Sequence, residues 1–585
     1  MIKKLFRQML VTQIISAMTV MLCMLIDSIM IGRFLGLPSM TAYGLATPVL
    51  LVFAALGSMI AAGVQVICGR TIASGDTEGT NACYTVSVMT SAGIALAGMA
   101  AVLLFTDPIC TLLGAGTPSP DNEVFRLTRD YLRGFIIGAP AFILSQIMVP
   151  FLQIAGSRTR LVAAVLAMTA GDVVMDLLNV FVLKQGTFGM GLASSVSYYI
   201  AFVIGIVYFL RKSCIFKLRP KLYTWKVCAR MLRAGVPTMI NQVSLVLLTF
   251  TLNKLLLSVG SDLAVASYSV ISTVGNICYS FSSGPAAVVL TLSSLFYTDS
   301  DRSALKELVG IMTRYCAAIC AAVTIAVILL AAPLATLFLE NPAAKDMTVT
   351  GLRLFVLSLV PCGLNTCFKN YDQGIERVRL TCAISVCQNF VLTALSAFVL
   401  SRFLGVTGIW LGYLCGEGLT LLLITAYVFV QYGKPSFTAE AFSLLPVTFG
   451  AAPDSLLETR ASEREQVLAA SEEAAEFCRA HALSEQCSMA VSLCIEEMGM
   501  NIVEYGFAGR NTHEIDIRLV IQEESVILRI RDNCAGFDPV EYTRHQKEED
   551  LTKHIGLRMV MALTKDAEYV NSLGLNCLTL TLQKA

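Results

Sequence analysis

Over its first 432 residues the chain is a succession of apolar runs, each about 20 residues long, separated by short polar connections. Runs of that length constrain the fold more than any other feature here. They are at home where a bilayer replaces water, and there every backbone amide must be satisfied within a helix. Twelve runs are read, at 10–32, 44–68, 83–105, 130–154, 163–183, 191–210, 236–257, 265–297, 315–338, 351–373, 381–400 and 408–431. The predicted fold class is therefore a polytopic α-helical membrane protein with 12 transmembrane helices, followed by a cytoplasmic α+β domain. The eighth run holds Gly284–Pro285, a pair able to break a helix.

The polar connections alternate in charge. The loop after the sixth run carries Arg211, Lys212, Lys217, Arg219, Lys221, Lys226, Arg230 and Arg233, and loops of the same parity hold Arg70, Arg158, Arg160, Arg302 and Arg377. Loops of the other parity carry no such basic excess. The positive-inside rule then predicts a multi-pass protein of the inner (plasma) membrane with both termini cytoplasmic. The long basic loop divides the runs into two six-helix halves, about 1–212 and 230–432. "GLPSMTAYGLATPVL" from Gly36 and "GSDLAVASYSVISTV" from Gly260, offset by 224 residues, align as a faint internal repeat of the kind secondary transporters use. Nineteen cysteines, scattered without CxxC pairs, read as buried thiols of a reducing compartment rather than a disulfide or zinc framework.

Acids within such runs are costly, at least ~2.5–3.5 kcal/mol each on the lenient insertion scale. Asp27 interrupts the first run, and Asp172 and Asp176 stand one helical turn apart in the fifth, on one face. Close carboxylates repel when both are ionised, so one takes up a proton or the pair recruits a cation. That suits H⁺ or Na⁺ coupling. Together, "DSIMIGRFLG", "AYGLATPV" and "AAGVQVICGRTIASGD" make residues 5–432 resemble the MATE (multidrug and toxic compound extrusion) family. The resemblance implies a cation site built from the first-span Asp, an Asn-xxx-Asp pair in the fifth span and a sixth-span hydroxyl. Asp27 and Asp176 match, Ser194 stands for the usual Thr, and Asp172 replaces the Asn, which adds a charge. Asp372 and Glu417 are weaker second-half candidates, Asp372 being near a span end where water would reach it.

From Asp454 onward the chain holds 13 Lys+Arg against 23 Asp+Glu, together with all four histidines. A linker, 433–452, leads into this acidic region, 453–585. Residues 463–482 and 489–505 read as helices, "IDIRLVI" and "SVILRIR" as a hairpin about "QEES", "HIGLRMVMAL" as a helix and "CLTLTL" as a strand. Glu497 and Asn501 share a helix face, a carboxylate suited to a hydroxyl proton and a carboxamide suited to Mg²⁺. Asp532 stands at a strand end, where it can accept from a base amine, and Gly556 opens a helix whose N-terminus can meet phosphate. In this order, "EEMGMNIVEYGF", "DNCAGFDP" and "HIGLRMV" resemble the boxes of the GHKL ATP-binding fold, in particular RsbW-like anti-sigma-factor serine/threonine kinases. The resemblance implies Glu497 as catalytic base, Asn501 on Mg²⁺, Asp532 on adenine, Gly536 and Gly556 at the nucleotide, and 541–553 as the ATP lid. Cys534 and His554 stand where those boxes have glycine.

The expected function is an ion-coupled (H⁺ or Na⁺) antiporter exporting small organic compounds, with a cytoplasmic regulatory or serine/threonine kinase domain that binds ATP and Mg²⁺. Its partners would be a small-molecule substrate and the lipid bilayer, with no nucleic acid. An alternative is a membrane-anchored sensor kinase that phosphorylates an anti-sigma-antagonist-like protein. A third, a flippase for lipid-linked saccharides, calls for a strongly basic central cavity, and few basic residues fall within the runs. No Walker A motif occurs, so ATP-driven pumping of the ABC type is not expected.

Overall fold

The computed structural model describes residues 2–74, 76–119, 121–211, 214–259, 262–338, 342–446, 448–507, 513–545 and 555–584. The chain begins with α1 (Ile2–Met30), prolonged by a π-helical turn until Gly36, whose φ of 83° reverses the chain into α2 (Leu37–Ala73). Asp76 caps α3 (Thr77–Leu104) by accepting from Gly79 N–H at 2.7 Å, and a short α4 (Thr106–Leu112) follows. Asn122 caps α5 (Glu123–Ile136), which meets α6 (Ala139–Ile154) at a 48° bend. Next come α7 (Arg158–Leu178), ending in a π turn, α8 (Gly186–Phe209), α9 (Trp225–Val259), α10 (Asp262–Thr298) and α11 (Arg302–Phe338). Then α12 (Pro342–Val356) and α13 (Leu359–Gly374) bend by 42°, and α14 (Val378–Val386), α15 (Leu392–Leu404) and α16 (Val406–Tyr432) complete the body.

Among the described residues eight helices are long and apolar enough to cross a membrane, or ten if each bent pair is one span. α1 and α10, of 29 and 37 residues, pack together within the same body. Contrary to the break considered at Gly284–Pro285, α10 runs through it as helix. The reason is packing: a Cβ on Gly284 would stand 2.7 Å from Ile14 Cγ1, so glycine lets α1 lie close. A reciprocal pair joins α2 to α9. A Cβ on Gly63 would lie 2.2 Å from the Met231 carbonyl oxygen, and one on Gly235 1.9 Å from that of Met59. Small residues of this kind let helix backbones touch where no hydrophobic force drives them together.

Residues 433–452 are not a free tether. They form α17 (Ala439–Ser443), where Glu440 meets Lys306 at 3.1 Å and Arg302 at 3.4 Å, Tyr371 Oη donates to the Ser443 carbonyl at 3.1 Å, and Phe449 stacks on Tyr297.

Beyond it lie β1 (Leu456–Ala461), α18 (Arg464–Ala480), α19 (Glu485–Asn501, prolonged by a π turn to Gly506), β2 (Ile515–Ile521), β3 (Ser525–Asp532), α20 (Pro539–His545), α21 (Ile555–Leu563), β4 (Asp566–Ser572) and β5 (Leu575–Gln583). The antiparallel sheet has the order β1-β2-β3-β5-β4; β1 and β4 go beyond the sequence reading. Strand alternation sends Ile515, Ile517 and Leu519, Val526, Leu528 and Ile530, and Leu578, Leu580 and Leu582 into one core with α18, α19 and α21. The opposite face carries Arg518, Arg529 and Arg531.

Candidate functional site

Asp27 on α1, Asp172 and Asp176 on α7 and Ser194 on α8 are brought together, because α7 packs against both neighbouring helices. Ser194 Oγ donates to Asp27 Oδ2 at 3.4 Å, and Cys23, one turn earlier on α1, reaches Thr169 Oγ1 at 3.4 Å. Asp27 is within electrostatic reach of both other carboxylates. Asp172 and Asp176 are only 3% and 1% exposed. Asp27 Oδ1, Asp172 Oδ1 and both oxygens of Asp176 are enclosed and meet no donor among the described residues. Enclosed acceptors without donors are expensive, so this cluster is fitted to take up protons or a cation. As placed, the three carboxylates are neighbours but do not make a metal-ligand group, and no other three or more His, Cys, Asp or Glu do so among the described residues.

A second buried polar cluster surrounds Glu417, the second-half candidate, and its partners Asn365, Lys369 and Gln388 were not singled out in the sequence. Glu417 on α16 accepts from Asn365 at 2.8 Å and from Gln388 at 3.4 Å. Gln388 in turn accepts from Lys369 at 3.2 Å, and Lys369 also donates to Asn241 at 2.5 Å. Lys369 and Glu417 are both buried, so an ammonium and a carboxylate are linked through a carboxamide inside the helical body. A lysine within the tenth apolar run was the signal that could have found it. Asp372, expected where water reaches it, is buried at 3% exposure, because α13 is covered by α10 and α11.

In the sheet domain, Glu497 and Asn501 are half-buried on one face of α19, and Glu496, expected to be solvated, is half-buried too. A Cβ on Gly556 would fall 1.8 Å from Glu497 Oε2, so only glycine lets the first turn of α21 lie against that carboxylate. Asn501 makes no hydrogen bond with its side chain among the described residues, leaving the carboxamide oxygen available to a cation. Asp532 ends β3, where Oδ1 accepts from Cys534 N–H and from Asn576 Nδ2, both at 2.8 Å. Burial raises the Asp532 carboxyl above its ordinary range, and those two donors oppose the rise. Asn576 is itself held by Tyr569 Oη at 2.6 Å and Asn571 at 2.5 Å, a positioning network the sequence did not reveal. Burial, with Asp532 beside it, pushes the Cys534 thiol up to about 12, so it stays protonated. Gly536 is exposed after β3, facing Asn571. Of the expected lid, 541–545 belong to α20, while 546–553 and His554 lie outside the described residues.

The other face of the sheet is clamped to the helical body. In the ladder Arg518 stands directly opposite Arg529, a like-charge pair that would ordinarily weaken a sheet. The turn between α10 and α11 resolves it. Asp301 Oδ2 meets Arg529 at 2.7 Å and Arg518 at 3.3 Å, and Asp299 Oδ2 meets Arg529 at 3.1 Å and also Arg531. Burial alone would raise Asp301, but Arg529, Arg518 and Arg531 outweigh it and hold the carboxyl below the ordinary range. On the far side of the sheet the tip of the β4–β5 hairpin reaches the α6–α7 turn. Leu573 N–H donates to the Ile154 carbonyl at 2.7 Å, and Leu573 and Leu575 are buried among the helices. Leu573 and Gly574 have φ of 58° and 77°, the two-residue turn that favours Asn-Gly, so a leucine there is held by its burial.

This fold is that of a multi-helix membrane transporter joined to a kinase-like ATPase domain. The MatE family model matches residues 13–181 and 237–399, more than half of the chain, and the protein belongs to the MATE family. A second model, the histidine kinase-like ATPase domain, matches residues 460–582. The multidrug export protein MepA of Staphylococcus aureus is 22% identical over 392 residues, covering 67% of this chain and 85% of the relative. MepA of Staphylococcus saprophyticus is 23% identical over 410 residues, covering 69% and 88%. A solved MATE structure in complex with MaL6 superposes with a TM-score of 0.68 at 20% identity, over 72% of this chain and 94% of that one. An outward-facing multidrug resistance MATE transporter does so at 0.67 and 21%, with the same coverage.

Proposed function

We propose that the protein is an ion-coupled antiporter that exports small organic compounds, with twelve spans in two six-helix halves and both termini cytoplasmic. Asp27, Asp172, Asp176 and Ser194 take up and release the coupling ion, H⁺ or Na⁺. The observation that carries this reading is the set of enclosed carboxylate oxygens without donors. The likeness to multidrug export proteins supports the substrate class. The test is efflux of a cationic dye from proteoliposomes under an imposed proton or sodium gradient. Asp27→Asn is expected to abolish gradient-dependent efflux, and undiminished efflux would reject the assignment.

The domain at 453–585 is proposed to bind ATP, with Asn501 holding Mg²⁺, Asp532 meeting adenine, Gly536 and Gly556 giving the phosphates room, and Glu497 orienting or deprotonating a hydroxyl. Its clamp on the α10–α11 turn and its hairpin on the α6–α7 turn support a regulatory role, since it touches both halves on one side. The close fit of Glu497 to Gly556 favours a second reading, a kinase acting on a serine of an anti-sigma-antagonist-like partner. Phosphate transfer by the full chain to such a protein, lost in Glu497→Gln, would establish it.

A further inference from the structure

A cavity of about 1060 Å³ opens where the C-termini of α2 and α10, the first turns of α9, the α13–α14 turn and α16 converge. Its charged lining is one-sided: Arg70, Arg230, Arg233, Arg377 and Arg379 against Glu376 alone. Glu376 takes Arg70 Nη1 at 2.8 Å, and Arg377 donates to the Leu444 carbonyl of the linker. Arg230, Arg233 and Arg379 are exposed and form no ion pair among the described residues. Arg70 Nε is enclosed and meets no acceptor there, while Tyr297 lies 5.7 Å from the guanidinium carbon.

Arginines that merely satisfied an inside-positive bias could splay towards head groups separately. Here five line one volume with a single carboxylate among them, an excess of positive charge that favours a multivalent anion. Guanidinium groups present paired N–H donors that match phosphate oxygens. The volume is far larger than inorganic phosphate and slightly exceeds the roughly 300–1,000 Å³ typical of organic-ligand sites. Basic pockets between membrane helices on one face are also a recurrent way of holding phospholipid head groups.

We propose that this cavity binds a phosphate-bearing organic anion, with Arg230, Arg233 and Arg379 on the phosphate and Arg70 shared between it and Glu376. The anion is either the head group of an acidic phospholipid or a soluble organic phosphate. It competes with Glu376 for Arg70, so its binding loosens the tie between α2 and the α13–α14 turn.

The test uses the full chain in nanodiscs with Asn501→Ala throughout, so that the sheet domain contributes little phosphate binding. One arm compares phosphatidylcholine discs with discs containing phosphatidylglycerol; the other titrates inorganic pyrophosphate into phosphatidylcholine discs. Thermal unfolding and bound-lipid mass spectrometry are the readouts. A response to phosphatidylglycerol assigns a lipid source, and a response to pyrophosphate a soluble one. In either case R230Q/R233Q/R379Q is expected to weaken binding by about tenfold or more. Glu376→Gln is expected to tighten it, since the internal competitor is gone, and it decides the matter should the triple variant fail to fold. No response in either arm, or a response unchanged in these variants, overturns the proposal.

Discussion

Replacing Asp301 by Asn removes one charge from a buried cluster while keeping its shape. Asp301 Oδ2 serves Arg529 at 2.7 Å, Arg518 at 3.3 Å and Arg531 at 3.8 Å, whereas Oδ1 caps α11 by accepting from Ala304 N–H at 3.0 Å. Asparagine keeps the cap and loses the charge. Only Asp299 would then face Arg529 and Arg531, and Arg518 would keep Glu458 at 3.5 Å. Breaking a buried ion pair by removing one partner costs about 3–5 kcal/mol. At about 1.4 kcal/mol per factor of ten, the docking equilibrium should shift by roughly 100- to several-thousand-fold. Hydrogen exchange of the full chain in nanodiscs measures this at the α10–α11 turn and the strand residues that face it. Faster exchange confined to those segments, with the transmembrane helices unchanged, is expected. Exchange indistinguishable from the parent would refute the clamp as a source of docking energy. The pH dependence has a defined sign. Asp301 is held below its ordinary value of 3.8, so its contribution is fully present above that value and is lost as pH falls through the lower, folded one. Docking in the parent should therefore be insensitive to this carboxyl between neutral pH and about pH 4.

Two smaller perturbations separate the site from its support. Gly556→Ala would place a methyl 1.8 Å from Glu497 Oε2; ATP affinity measured by thermal shift should fall, and should fall less when Glu497 is also Ala. Leu573→Asn relieves a left-handed leucine, worth about 1–3 kcal/mol, but exposes the docking site to a polar group and forfeits about 1.5–3 kcal/mol of burial. The hairpin tip should then exchange faster although its turn is better formed.

The carboxylate cluster was legible because a charge inside an apolar run is rare enough to be informative alone, and Asp27, Asp172, Asp176 and Ser194 do converge. The nucleotide boxes were legible because their order along the chain matches the order of helix, strand and helix. Glu417 was visible as an acid within a run, but Lys369 was harder, since its link to Glu417 depends on Gln388 lying between them, which only packing decides. Strand β4, "DAEYVNS", is polar and short, and its pairing with β5 outweighs its own weak pattern. Arg518, Arg529 and Arg531 fall on the polar side of the hairpin's alternation, a pattern that solvent alone would satisfy. Nothing local distinguishes that from a face buried against carboxylates more than 200 residues away.

That distant burial gives the regulatory proposal its thermodynamic content. A domain anchored at the α10–α11 turn by an ion cluster and at the α6–α7 turn by a hairpin resists any motion that separates the two turns. In the proposed cycle such a motion must accompany opening of the body on this side, so the conformer that keeps the turns together is the one that docks the domain best. If nucleotide alters docking through Asp532, which ends the same strand as Arg529 and Arg531, it biases that conformer by the same free energy. Linkage makes the effect reciprocal: a substrate or ion gradient that favours the opened body must change nucleotide affinity by an equal factor. A measured nucleotide effect on transport-competent conformers without the matching effect of substrate on ATP affinity would place the coupling outside this interface.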